Sequence, residues 1–164
     1  MISGRRFLFG IGAGTSPASR WGEEQRIVGA ELEPEMARRH DRVERLLDLT
    51  DAMWAADRDE QFATFLRPVP SPPRIVGVNS VRLAEIAGRR AEGVNVAWEH
   101  PRRDEFLDAA RSAAAGRDFQ LTAWVSWSPD LLDPGHPTRV EMGARGLDRV
   151  VLAVLDDLAD FIAT

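Results

Sequence analysis

Residues 74–97, RIVGVNSVRLAEIAGRRAEGVNVA, constrain the fold more than any other part of the chain. These 24 residues hold a short apolar run, a glycine-bearing turn, an amphipathic segment and a second apolar run. Arg74–Val78 follows the cluster Pro68, Pro70, Pro72 and Pro73 and reads as a buried strand. Asn79 and Ser80 stand where a helix begins, and Leu83, Ile86 and Ala87 supply its core-facing stripe. Gly93 closes the helix, and residues 94–97 start a second strand. A βαβ unit this short makes its strands parallel. It also sets the helix N-terminus at a strand's carboxyl end, a position suited to an anionic group.

Composition removes several kinds of chemistry. The chain has no Cys, no Tyr and no Lys, and all 21 basic residues are Arg. Thiol nucleophiles, Schiff-base lysines, P-loop lysines and cysteine metal sites are therefore excluded. His40, His100 and His136 are scattered without ligand spacing, and each reads as a lone surface histidine. No metal site is expected, and any chemistry falls to a bound cofactor. A net charge of −5 argues against nucleic acid as the main ligand. No apolar run approaches the ~20 residues of a membrane span, and the N-terminus lacks a signal-peptide core. The expectation is a cytoplasmic protein with a single domain over residues 1–164.

Elsewhere the pattern alternates between strand and helix. Residues 6–14, RFLFGIGAG, read as a strand leading into a tight turn, and a short helix is expected near residues 23–28. From 38 to 55 the residues Val43, Leu46, Leu47, Met53 and Trp54, with Thr50, fall at helical spacing. Pro101 suits a helix's first turn, with Asp104 and Glu105 behind it and Phe106, Leu107 and Ala110 as its apolar face. Residues 119–127 form a strand with Trp124 and Trp127 on opposite faces, most simply as packing aromatics. A short helix over 138–145 ends at Gly146, residues 148–154 make a buried strand, and a last helix covers 156–163. About five βα units give an α/β chain with a parallel sheet. Two architectures fit, an open doubly wound sheet and part of a (β/α)8 barrel, which needs ~250 residues when complete. Pattern alone favours the open sheet slightly.

Two glycine motifs are candidates for a ligand site. GIGAG, Gly10 to Gly14, is a poor dinucleotide fingerprint, because Thr15 stands where the third glycine belongs and Pro17 interrupts the helix start. A tight strand exit explains it as well as a ligand does. Functionally, Gly12, Ala13, Gly14 and Thr15 would offer bare backbone along which a flat ring lies. In GVNS, the amides of Val78, Asn79 and Ser80 and the Ser80 hydroxyl could face a phosphate that Gly77 lets come close. The simpler role is that Asn79 or Ser80 caps its own helix. The acidic residues Glu23, Glu24, Glu31, Glu33 and Glu35 read as a solvated segment.

In order along the chain, these segments resemble the bacterial luciferase-like monooxygenase family, flavin- or deazaflavin-dependent oxidoreductases on a TIM barrel. SGRRFLFGIGAG is similar to the family's fourth strand, and RHDRVERLLDLTDAMW to the helix after it. PPRIVGVNS is similar to its fifth strand and phosphate turn, RRAEGVN to its sixth strand, and GLDRVVLAV to its eighth. The resemblance replaces the open sheet with an incomplete (β/α)8 barrel of about five units. It implies FMN or deazaflavin (coenzyme F-420), with the phosphate at Gly77, Val78, Asn79 and Ser80 and the ring edge along Gly12–Thr15. Hydride transfer or oxygenation of a small organic substrate would follow.

Val78 replaces a family glycine, Glu92 replaces an aspartate, and Thr15 stands where one deazaflavin branch has a proton-transferring glutamate. No catalytic residue is assigned. Met1 precedes the segment resembling strand four, so the expectation is a truncated frame, a fragment, or a chain completed by a second copy or a partner subunit covering exposed strand edges. The alternative function is a non-catalytic flavin-binding or structural subunit.

Overall fold

The computed structural model describes residues 7–19 and 21–154 of the 164-residue chain. The fold is α/β, with five parallel strands ordered in the sheet as they are in the chain. The strands are β1 (Phe9–Gly12), β2 (Arg74–Val78), β3 (Gly93–Ala97), β4 (Gln120–Ser126) and β5 (Arg149–Ala153). Five α-helices are interleaved with them: α1 (Gly22–Ile27), α2 (Met36–Trp54), α3 (Val81–Arg90), α4 (Arg103–Ala114) and α5 (Pro137–Ala144). The alternation is that of a βα repeat. The helix expected over 156–163 lies outside the described residues. Among those described, no helix is long and apolar enough to cross a membrane.

The chain divides into two compact units, residues 1–77 and 78–164. In the first, β1 and β2 pair in parallel with Phe9 opposite Arg74 and Gly12 opposite Gly77. The crossover helix α2 buries Val43, Leu47 and Thr50, three positions of the stripe expected from sequence. Ile11, Ile75 and Val76 are buried with them. At the amino ends of the strands Phe9 meets Trp54 edge-on, with ring centroids 5.4 Å apart. Beside it the buried Arg74 is fully engaged. Its Nη1 donates to Thr50 Oγ1 at 3.1 Å and to Asp51 Oδ1 at 2.5 Å, and lies 3.4 Å from the Leu47 carbonyl.

In the second unit β4 lies between β3 and β5, and Val94, Val96, Leu121 and Ala123 are buried. Helix α3 presents Leu83, Ile86 and Ala87 to the core and packs on α4 through Gly88. A methyl group at Gly88 would collide with the Ala110 carbonyl oxygen and stand 2.7 Å from the Ala113 Cβ. Glycine is there because two helix backbones touch. Phe106, Leu107 and Ala110 of α4 are buried, as their spacing requires. Ahead of them the exposed Arg102 forks onto Glu105 at 2.6 and 2.8 Å, and the hydrogen bond holds the Glu105 carboxyl below its ordinary range. Asp148 fastens β5 to β4 reciprocally, its Oδ2 accepting from Leu121 N and its own amide donating to Leu121 O, both at 2.8 Å.

Three local expectations are corrected. Gly93 does not close α3: the helix ends at Arg90, Ala91 turns extended, and Gly93 is the first residue of β3. Pro101 lies in the turn before α4 rather than in its first turn. Strand β5 is not buried, since Val150, Val151 and Leu152 are 37%, 47% and 40% exposed. The gap next to it is incompletely filled: Val125, Leu131, Arg139, Met142, Val150 and Leu152 line an open cavity of about 250 Å³ between β4, β5 and α5.

Candidate cofactor site

The glycine turns leave adjacent strands at the same end. Because Gly12 is the register partner of Gly77, two positions without side chains lie side by side near the carboxyl ends of β1 and β2. Strand β1 stops at Gly12, and the next helix does not begin until Gly22. This is not the strand-to-helix turn of a dinucleotide fingerprint, in agreement with the poor match of GIGAG to that motif. Gly12 and Gly14 are exposed, and Ala13 and Thr15 are half-buried.

What each glycine is for can be separated by what an added Cβ would meet. Gly14 has φ +71°, a backbone conformation that explains the glycine by itself. Gly12 has no such φ, and the nearest atom to an added Cβ is Gly14 N at 4.0 Å. At Gly77 the nearest is the Ile11 carbonyl oxygen at 3.8 Å, an ordinary contact. Among the described residues, no atom crowds an added Cβ at either Gly12 or Gly77.

At the end of β2, Val78 is buried at 8% exposure, and in the turn that follows Asn79 is exposed. Ser80 is the N-cap of α3, extended at φ −153° and ψ 154°, and its Oγ accepts from Leu83 N at 3.3 Å. The capping role proposed for Asn79 or Ser80 thus belongs to Ser80. Its hydroxyl oxygen serves the helix as an acceptor, and an anion here would also meet the first-turn amides, which no earlier helical carbonyl reaches.

The histidines divide. His100 and His136 are half-buried and local: the Nδ1 of His100 accepts from Arg102 N at 3.1 Å, and that of His136 from Thr138 N at 3.3 Å. His40 is 4% exposed, not a surface residue, because α2 turns positions 39, 40, 43 and 47 toward the core. Among the described residues no group of three or more His, Asp or Glu is arranged to hold a metal ion.

Arg39 was missed from sequence, and its neighbours carried the signal. Positions 39, 43, 47 and 50 share one helical stripe, so an arginine in that row had to be buried.

No protein-family model matches the chain, and no curated protein matches it.

Proposed function

We propose that this chain is a flavin- or deazaflavin-dependent oxidoreductase resembling the luciferase-like monooxygenases, built on part of a (β/α)8 barrel and working in the cytoplasm. One observation carries the proposal: Gly12 and Gly77 are cross-strand partners near the carboxyl ends of β1 and β2, and an added Cβ at either would meet only ordinary contacts among the described residues. Gly12, Ala13, Gly14 and Thr15 would bear the ring edge. Gly77, Val78, Asn79 and Ser80 would bring the phosphate to the start of α3. The cofactor, FMN or coenzyme F-420, would supply hydride transfer or oxygen chemistry toward a small organic substrate, and the chain would supply position and charge. No residue is assigned to proton transfer.

A second reading draws on β5. Exposed Val150, Val151 and Leu152 on the last described strand suit a subunit whose sheet is covered by another chain, one that binds flavin without turning it over.

Titrating the purified chain with FMN and with F-420, each followed by quenching of its own fluorescence, tests the proposal. Saturable quenching by one of them at micromolar concentration is expected. A chain that takes up neither is not a flavoprotein. A chain that binds flavin as a stable assembly yet never oxidises its reduced form fits the second reading.

A further inference from the structure

The segment leading into α2 settles its charges unequally. Glu35, the N-cap, is ion-paired with Arg38 Nε at 3.2 Å, and Glu33 accepts from Arg42 Nη2 at 3.3 Å. Both acids are thereby neutralised by exposed or half-exposed arginines. Arg39, next to Arg38, turns inward and is only 6% exposed. Its Nη2 reaches back one turn to the sulfur of Met36 at 3.4 Å, and its Nε has no acceptor. No oxygen among the described residues accepts from this guanidinium.

That is abnormal for a buried arginine. The group stays charged and carries five donors in a fork, and buried charges are ordinarily paired. The same unit shows the ordinary case. Arg74 is 8% exposed and has a carboxylate and a hydroxyl on one nitrogen. Burial alone does not leave an arginine unmet here.

Arg39 also sits at an informative level. Arg74 holds Leu47, Thr50 and Asp51, and Phe9 holds Trp54, so the second half of α2 lies at the amino ends of β1 and β2. Arg39 comes eight to twelve residues before Leu47 and Asp51, or ~12–18 Å back along the helix axis. From Arg74 to Gly77, β2 advances ~10 Å. A crossover helix runs opposite to its strands, which brings Arg39 to the carboxyl ends of β1 and β2 or just beyond. There the first-turn amides of α2 lack helical acceptors, and a helical side chain leans toward that same end.

We infer that Arg39 and the first turn of α2 form an oxyanion site that takes the carboxylate or phosphate group of an organic substrate. A carboxylate or a phosphate matches the guanidinium fork and would supply the missing acceptors. The inference goes beyond the flavin reading and does not rest on it, because every residue of the site itself lies on α2 or just before it.

The test follows the thermal midpoint of the full chain in chloride, acetate and inorganic phosphate at equal ionic strength, with no flavin present. A saturable rise in acetate or phosphate, absent in chloride, is expected, and the anion that saturates identifies the group. Arg39→Met should weaken that anion at least tenfold. Arg45→Gln, which removes the same charge from an exposed position of the same helix, should leave it within twofold. A wild-type midpoint that responds alike to all three salts overturns the inference, and so does saturation that survives Arg39→Met. If that variant does not fold, Arg39→Lys decides: affinity reduced several-fold supports the fork, and unchanged affinity overturns it. Failure to bind FMN leaves each of these outcomes readable.

Discussion

The seam between α3 and α4 and the carboxyl ends of β1 and β2 both depend on glycine, for opposite reasons. At Gly88 the missing side chain is replaced by the neighbouring helix, whose Ala110 carbonyl fills the space. At Gly12 and Gly77 no described atom comes closer to an added Cβ than ordinary contact. The charged residues of the first unit repeat the contrast. Arg74, at one end of α2, is saturated by Thr50 and Asp51, while Arg39, at the other, has only a sulfur. Where space and charge are met from within, a residue belongs to the fold. Where they are left open, a ligand is the proposed partner.

The sharpest way to break this contrast is Gly88→Ala. Overpacking two touching helix backbones should cost about 3 kcal/mol, read from the denaturant midpoint of the full chain. A loss below ~0.5 kcal/mol would mean that the seam is slack and the contrast unfounded. Next in size, Arg74→Met should cost about 2 kcal/mol. That is less than a fully buried pair, because the Asp51 side chain is 51% exposed and regains water. If Arg39→Met destabilises as much, the arginines are alike after all.

At the open end the effects should fall on binding. Aspartate caps a helix as well as serine, so Ser80→Asp should fold normally while its charge lowers FMN affinity at least tenfold, about 1.4 kcal/mol by fluorescence titration. Unchanged affinity removes the phosphate from this turn. The smallest effect on stability is expected for Gly12→Ala, within ~0.5 kcal/mol of the parent, since an added Cβ comes no closer than 4.0 Å to Gly14 N. That variant should nonetheless weaken FMN. A stability loss above 1 kcal/mol would return Gly12 to a purely structural role.

Much of the fold could be read from the order of residues because one period governed each segment. Arg74–Val78 was bounded by prolines before it and a capping serine after it, and the observed strand has those limits. The stripe of Val43, Leu47 and Thr50 needed only a helical period. What escaped depended on neighbours distant in the chain. Gly88 reads as an indifferent helix glycine until α4 is laid against it. The apolar run of β5 predicts burial, yet burial needs a cover, and the cavity next to Val150 and Leu152 is only partly filled. Thr122, unremarkable in sequence, reaches across to the Val94 carbonyl and the Asn95 side chain at 2.8 and 3.0 Å. For the candidate site, the glycines and Ser80 were visible as motifs, but which glycines the backbone itself requires was not.

The strand registers also imply an order of events in time. Pairing Gly93 with Gln120 closes a loop of 27 residues, whereas pairing Phe9 with Arg74 closes one of 65. The longer closure costs ~0.8 kcal/mol more in chain entropy, and α2 must be formed and seated before it is repaid. On loop closure alone, β3 and β4 are therefore expected to associate before β1 joins β2. The paired glycines at the carboxyl ends of β1 and β2 are thus among the last features of the molecule to exist, and a chain still emerging from the ribosome can pair β1 only after residue 74 has been made.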